Sequence, residues 1–421
     1  MLIRFRVANH RSIREEQELS LVAGRGLTAA AAHPVPGSDE RVWPVVAVLG
    51  GNAAGKSNVI SALAYMCDAV VYSHSQAWPT GEQLRRRPFL LDGESAGRPS
   101  TFVAEFATRV ERFEYGFSFT ETAVEREWLR DLSEREPRMM FERARDRIEF
   151  GRAFPDRPFG RPRPNGLLVS AGAFAGHPAL AVVFRYFRSA LLPMVDGGLD
   201  GSLPQRLSMT IGELSGADAA PARRLLRLAD PGVAALEIKA LPRHEDLRRV
   251  TERLEAEGKD AELIEINRRL VAYLEAHPDA DSGEDPSRPL LLPNRIAVVR
   301  RASPAAEAYR LPLDQESNGT KAWISLVGPI THALREGAAL AVDALTARLR
   351  PDLAALTVGL FQSWETNPRG AQLIFTARGR TLMDAAAHNP LGREQMVLAE
   401  KDERSGATAL LPQTEPAELT A

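Results

Sequence analysis

Cysteine is nearly absent: Cys67 is the one thiol in 421 residues. An internal disulfide is thereby excluded, and a reducing, intracellular compartment is expected. Cys67 falls on the apolar side of a helix-compatible run, where a buried thiol is the ordinary role. Net charge is also missing. The 53 basic and 55 acidic residues leave a formal −2, so no global field steers this chain towards nucleic acid. Lysine is scarce, with five positions (56, 239, 259, 321 and 401) among those 53. No stretch approaches the roughly 18 uninterrupted apolar residues of a membrane helix. The opening MLIRFRVANHRSI carries Arg4 and Arg6 where a secretory signal needs an apolar core. A cytoplasmic protein without membrane contact is the expectation. There is no H-E-x-x-H, no Cys/His ligand cluster and no grouping of carboxylates after residue 380 of the kind a nuclease needs. With ten residues after Leu411, no fused effector is expected.

What is present is concentrated in Val45–Ser61, VVAVLGGNAAGKSNVIS: an apolar strand, a glycine loop, Lys-Ser, then an apolar helix. Gly50, four intervening residues and Gly55-Lys56-Ser57 fit the G-x4-G-K-S/T pattern, whose loop wraps phosphates with backbone N–H groups and faces them with a helix N-terminus. Gly50, Asn52, Ala53, Ala54, Gly55, Lys56, Ser57 and Asn58 are therefore the expected nucleotide-binding residues. Lys56 is expected to reach the β- and γ-phosphates of ATP, and Ser57 to ligate Mg²⁺. A glycine turn with a surface lysine accounts for neither the strand before the loop nor the helix-compatible Asn58–Met66 after it.

Around this loop the patterning is mixed. Residues 2–8 alternate with a strand period, and Gln17–Val22 reads as a hairpin partner. A Gly/Ala/Pro-rich loop, Gly24–Ser38, leads to the phosphate-loop strand. Thr101–Thr120 gives two alternating strands; Ala123–Leu132 and Met139–Glu149 continue an antiparallel side sheet. Residues 151–166 read as loop, and Ala179–Leu192 as helix. His244–His277 is charged, with apolar residues at three- and four-residue spacings, and predicts a projecting helical hairpin, followed by an acidic stretch, Asp279–Arg288. Pro289–Arg301 is strand-like, Ala322–Leu334 helical, Ala338–Val342 an apolar run ending at Asp343, and Pro351–Trp364 helical. Ala371–Thr376 and Met396–Glu400 are buried strands. Strands separated by helices after a phosphate loop describe a mostly parallel sheet with its ligand at the strand C-terminal ends. The expected organisation is an N-terminal part over 1–192, a helical insertion over 193–289 and a C-terminal part over 290–421.

An apolar strand ending in aspartate is what a phosphate-loop ATPase places opposite the loop serine to hold Mg²⁺, so Ser57 and Asp343 form the expected metal pair. Taken in order, FRVANHRSI, GGNAAGKSN, RRPFLLD, ESNGTK, ALAVDALTARLRP, NPRGAQLIFTARGRTLMD and EKDERSGATALLP resemble the ABC-type ATPases of the RecF/SMC/OLD kind. Within that group they are similar to the AAA-family ATP-binding proteins found in bacterial phage-defence loci. The resemblance implies an α/β phosphate-loop NTPase with an ABC-ATPase-like head: a mostly parallel sheet, an antiparallel side sheet and a helical insertion. It also implies an ATP-driven dimer of identical or paralogous chains. In that dimer a signature segment, matched here by Ser317, Gly319 and Thr320, closes over the partner's nucleotide.

The chain departs from that pattern where hydrolysis is done. The glutamate expected after Asp343 is Ala344, which cannot accept a proton. Thr346–Pro351 replaces the usual interface run, and Arg378 stands where a γ-phosphate-sensing histidine is expected. Losing a positioned base typically costs about 10²–10⁴-fold in rate. Weak or absent turnover is one expectation; replacement by another carboxylate (Asp314, Glu316 or Asp352) is the second, and decay of a dispensable gene a third. The leading function expected is a nucleotide-gated regulatory or sensor protein in anti-phage defence, with a separately encoded effector such as a nuclease. The alternative is an active ATPase acting on DNA through Arg85, Arg86, Arg87, Arg161, Arg163, Arg348 and Arg350. A transporter-type subunit ranks below both, because the N-terminal hairpin and the C-terminal segment fit the RecF/SMC/OLD side.

Overall fold

The computed structural model describes residues 1–24, 32–74, 86–134, 136–152, 162–195, 203–229, 232–238, 296–301, 307–378 and 391–412, with scattered residues between 248 and 268. The chain divides into two compact units, one of Met1–Leu203 with Ser325–Ala421, the other Pro204–Ile324.

The first unit holds two large sheets. In one, β1 (Leu2–Ala8), β2 (Gln17–Ser20), β6 (Ser100–Ala107), β7 (Arg112–Phe119), β8 (Val124–Asp131), β9 (Arg138–Ala144) and β10 (Arg147–Phe150) form an antiparallel sheet ordered β10-β9-β8-β7-β6-β1-β2. The two-residue strands β3 (His33–Pro34) and β4 (Arg41–Val42) pair separately. The alternation in β1 holds from Ile3 onward: Ile3, Phe5 and Val7 are buried while Arg4 and Arg6 lie on the half-exposed face, but Leu2, which the period puts with the two arginines, is buried beside a shift in register. There Arg4 sits opposite Glu105 in register and bonds it at 2.7 Å, and Arg6 bonds Glu114 at 2.7 Å. Such partly exposed cross-strand pairs fix register more than they stabilise. Met139–Glu149 forms two strands, β9 and β10, rather than one, because Arg145 adopts a left-handed φ of 52° and reverses the chain.

A buried carboxylate ties this sheet to the next helix. Glu127 of β8 accepts from the N–H groups of Leu168 (2.7 Å) and Val169 (3.0 Å), which open helix α2 (Leu168–Phe174). It also accepts from the Tyr115 hydroxyl at 3.0 Å and pairs with Arg143 at 3.5 Å. Burial pushes the Glu127 carboxyl up, and the Arg143 charge and these donors oppose that.

The second sheet contains β5 (Val45–Gly50), β11 (Leu191–Met194), β15 (Ala339–Val342), β16 (Gln372–Arg378), β17 (Met396–Lys401) and β18 (Thr408–Pro412), ordered β11-β15-β16-β5-β17-β18. All neighbours are parallel except β17 and β18. Strands β5, β11, β15 and β16 are buried nearly throughout, as strands covered on both faces require, while β17 and β18 end in exposed residues. Helix α1 (Lys56–Tyr72) buries Val59, Ile60, Leu63, Met66, Cys67 and Val70 in the core. The fold is therefore that of a phosphate-loop ATPase: strand, loop and helix within a mostly parallel sheet, with an antiparallel sheet beside it. Ala179–Leu192, expected as one helix, is α3 (Pro178–Arg185), a π-helical turn over Tyr186–Ala190, and then β11. The run Leu191–Met194 is short and fully buried, and periodicity does not separate such a strand from a buried helical turn.

The second unit contains α4 (Leu203–Ser215), α5 (Ala220–Ala229), and an antiparallel sheet of β12 (Val233–Ile238), β13 (Ile296–Arg300) and β14 (Tyr309–Pro312). Helix α6 (Asn318–Glu336) begins here, with Trp323 donating to the Leu225 carbonyl at 2.8 Å. The hairpin expected over His244–His277 and the acidic stretch after it lie almost wholly outside the described residues; within the hairpin, Glu255 and Arg268 are helical and ion-paired at 2.7 Å. No single helix among the described residues is long and apolar enough to cross a membrane.

Candidate functional site

Parallel strands β5, β15 and β16 deliver their C-terminal ends to one edge of the sheet. That edge carries Gly50 and the loop after it, Asp343 just past β15, and Arg378 at the end of β16, in register with Gly50. The loop needs unusual backbone: Gly50, Ala53 and Gly55 take φ values of 155°, 62° and 95°. At Gly50 a Cβ would strike the Ala399 carbonyl, and at Gly55 it would overlap the Thr408 hydroxyl. Both positions therefore demand glycine for two reasons at once.

Helix α1 starts at Lys56 without a side-chain cap and without an acidic residue in its first turn. Its end presents first-turn N–H groups and the positive end of the helix dipole, although the Asn58 N–H already donates to the Gly55 carbonyl at 2.9 Å. Lys56 Nζ folds back to the carbonyls of Gly50 (2.8 Å) and Gly51 (2.6 Å). Burial, then the nearby Arg378 charge, lowers the Lys56 pKa, and Asp343 opposes them. Arg11 shows the same pattern: burial and Arg87 lower its pKa while Asp343 raises it. Lys56 and Arg11 thus both feel the Asp343 charge, with Arg378 near Lys56 and Arg87 near Arg11, an excess of cations that favours a polyanion.

Ser57 Oγ donates to Asp343 Oδ1 at 2.9 Å. A hydroxyl and a carboxylate side by side are hard oxygen donors of the kind Mg²⁺ takes. Thr376 donates to the same Oδ1 at 2.6 Å and accepts from the Ala344 N–H at 2.7 Å. Ala344 itself is left-handed, at φ 54°, and opens a helical turn over Leu345–Arg348. Its methyl occupies the position directly after Asp343 and offers no acceptor. The uncapped helix end, the cationic cluster and the hard-oxygen pair together fit a polyphosphate with a divalent ion.

Neighbouring segments bolt the loop in place. Asn58 Nδ2 donates to Ser12 Oγ at 2.5 Å, and Ser12 Oγ lies 2.6 Å from Thr408 Oγ1, which donates to the Ala54 carbonyl at 3.0 Å. Arg11, Ser12, Thr376 and Thr408 thus join the site without having been singled out by sequence motif. Ser12 and Thr408 lie in FRVANHRSI and EKDERSGATALLP, and Thr376 ends the run AQLIFT, so the segments were visible although the contacts were not.

Among the expected signature residues, Ser317 and Gly319 are exposed and Thr320 half-buried. Ser317 caps α6, its Oγ accepting from the Thr320 N–H at 3.1 Å. Of the replacement carboxylates, Glu316 is gripped by Arg300 at 2.8 and 2.7 Å, Asp352 pairs with Arg350 at 2.9 Å, and Asp314 is exposed on a 3-10 turn. Arginines suggested for DNA also have internal partners. Arg86 donates to the Ala96 and Arg98 carbonyls and Arg163 to that of Ser73. Arg85 and Arg161 lie outside the described residues.

A family model described as "AAA domain, putative AbiEii toxin, Type IV TA system" matches residues 45–163, from the phosphate-loop strand through the antiparallel strands. No curated protein matches the sequence. Among solved structures the chain is similar to the SMC head domain from Thermotoga maritima, at 13% identity over 98% of both chains with a TM-score of 0.38. It is also similar to an SMC head bound to the C-winged helix domain of ScpA, at 11% identity over 97% of this chain and 96% of that one, with a TM-score of 0.42. A third similar structure is the SMC head with an extended coiled coil bound to the C-terminal domain of ScpA, derived from Pyrococcus furiosus. There the identity is 12% over 97% of this chain and 95% of that one, with a TM-score of 0.38. Likenesses this loose leave the fold to be read from the strand order itself.

Proposed function

We propose that this chain binds ATP with Mg²⁺ and uses nucleotide occupancy, rather than turnover, as its output. The observation that carries the reading is the pairing of Ser57 Oγ with Asp343 Oδ1 beside the Lys56 loop, next to an alanine where a base is needed. Bound Mg-ATP would supply the charge that the site is built to hold. Loop N–H groups and the α1 N-terminus receive phosphate oxygens, Lys56 leaves the Gly50 and Gly51 carbonyls to reach them, and Ser57 with Asp343 holds the ion. No side chain at Ala344 can take a proton from water, so hydrolysis is slow or absent.

Exposed Ser317 and Gly319 at the start of α6 support the further reading that a second chain, identical or paralogous, closes over the nucleotide. The match of residues 45–163 to a family model named for a toxin of a toxin–antitoxin system supports a defence setting, with a separately encoded effector read out by closure. Calorimetric titration of Mg-ATP into the wild type and Lys56→Ala, with sedimentation at saturating ATP, tests both layers. Binding weakened in Lys56→Ala together with an ATP-dependent rise in mass of the wild type is expected; a wild type that ignores ATP overturns the reading.

A further inference from the structure

Asp343 accepts two hydrogen bonds on the same oxygen, one from Ser57 and one from Thr376. The two donors differ. Ser57 is exposed at the start of α1, whereas Thr376 is 1% exposed and lies within β16, two residues before its end. Direction is fixed at Thr376: the Ala344 N–H can only donate to its oxygen, and an ionised carboxylate can only accept, so the single hydroxyl proton goes to Asp343.

From this we infer that Thr376 is the positioning residue for the metal-holding carboxylate, an outer partner that aims the Asp343 oxygen. The inference rests on the ATP-Mg²⁺ reading. When Ser57 turns its oxygen lone pair to an ion, it ceases to be a dependable donor to Asp343, and Thr376 is the remaining one in the described site. The same hydroxyl receives the Ala344 N–H and so holds the left-handed residue that sends the chain into Leu345–Arg348. One side chain therefore sets both the carboxylate and the backbone immediately after it. Partners of this kind typically contribute about 10–100-fold to metal affinity when removed.

The test separates metal from nucleotide. Binding of a fluorescent ATP analogue is measured in EDTA and then as a function of added Mg²⁺, for the wild type, Thr376→Val, Thr376→Ser and Thr376→Ala. The inference expects Thr376→Val to bind the analogue as the wild type does in EDTA, and to need about 10–100-fold more Mg²⁺ for the metal-dependent gain. Thr376→Ser restores the wild-type requirement, and Thr376→Ala, which relieves any crowding by the valine methyl, repeats the valine result if that variant folds poorly. A Mg²⁺ requirement unchanged in both hydroxyl-free variants, or equally raised in Thr376→Ser, overturns the positioning role and leaves the nucleotide reading intact. A wild type that binds no analogue under either condition overturns both.

Discussion

Ser57 and Asp343, separated by 286 positions in the chain, meet at 2.9 Å where the phosphate-loop helix starts and a buried strand ends. The meeting is a product of topology. Both residues sit at the C-terminal edge of parallel strands in one sheet, so a loop that cradles anion and a carboxylate that can hold a cation face the same space. The site's chemistry is then decided by the residue after Asp343, and Ala344 brings only a methyl group to that position.

Removing the loop charge is the first consequence to check. Charge-assisted hydrogen bonds contribute about 1.5–3 kcal/mol, so Lys56→Ala is expected to weaken ATP binding by about 10–100-fold. Lys56 bonds only loop carbonyls in the free protein, so the melting temperature without nucleotide should move little. Equal ATP affinity in the variant and wild type would contradict the assignment.

Gly55→Ala is expected to damage the fold itself. At φ 95° an L side chain is strained by about 1–2 kcal/mol, and the overlap with Thr408 adds about 1–3 kcal/mol of crowding. Urea unfolding should show a loss of at least about 2 kcal/mol. Combining it with Thr408→Ala should recover only the part of the crowding that Thr408 causes, because the contact with Ser12 Oγ and the backbone strain remain. Full recovery in the double variant would mean that the φ strain is unimportant.

His10 gives the fold a pH dependence. Its ring is buried against Phe102 and Tyr65, its Nε2 lies 3.2 Å from Ser61 Oγ, and Arg11 and Arg87 are close. Burial first, then those two cations, lower its pKa from 6.5 to about 3. The folded state thus binds the proton less well than the unfolded chain. Its contribution to stability is complete above about pH 6.5 and is lost as pH falls towards 3. Between pH 7 and 5 the loss from this group is about 2 kcal/mol, as 1.5 units below the unfolded pKa at 1.36 kcal/mol each. His10→Gln should flatten the fall in unfolding free energy over that range; an unchanged slope would place the proton uptake elsewhere, with His33, lowered to about 4 by burial and Arg41, the next candidate.

Glu127 is the position where a single change should cost most. Removing one partner of a buried pair costs about 3–5 kcal/mol, and Glu127→Ala would strand Arg143 and uncap α2 together. Glu127→Gln keeps one acceptor for those N–H groups and should cost less. Comparable losses in the two variants would show that charge, not capping, is what matters there.

How legible all this was depended on whether a signal was local. The phosphate loop announces itself because glycine positions, Lys56-Ser57 and the flanking apolar runs are contiguous, and Asp343 stands out as the polar end of a four-residue buried strand. The alternation of β1 with Arg4 and Arg6 outward was equally readable. Thr376 and Thr408 were not, since a threonine in or beside a strand is ordinary until the sheet order brings it to Asp343 or Ala54. The break after Arg185 was hidden because Tyr186–Met194 continues the apolar density of a helix while changing from π-turn to strand. Helix α5 went unread, because the arginines among Ala222, Leu225 and Leu226 obscure its buried stripe.

The central claim, a site that holds ATP-Mg²⁺ without a base to spend it, is tested most directly by steady-state phosphate release measured beside Mg-ATP binding on the same preparation. The wild type should bind Mg-ATP yet release phosphate no faster than Lys56→Ala. Ala344→Glu, whose side chain enters a backbone position already left-handed for alanine, should gain turnover by about 10²–10⁴-fold. Clear wild-type turnover above the Lys56→Ala level would contradict the account and show that another group activates the water.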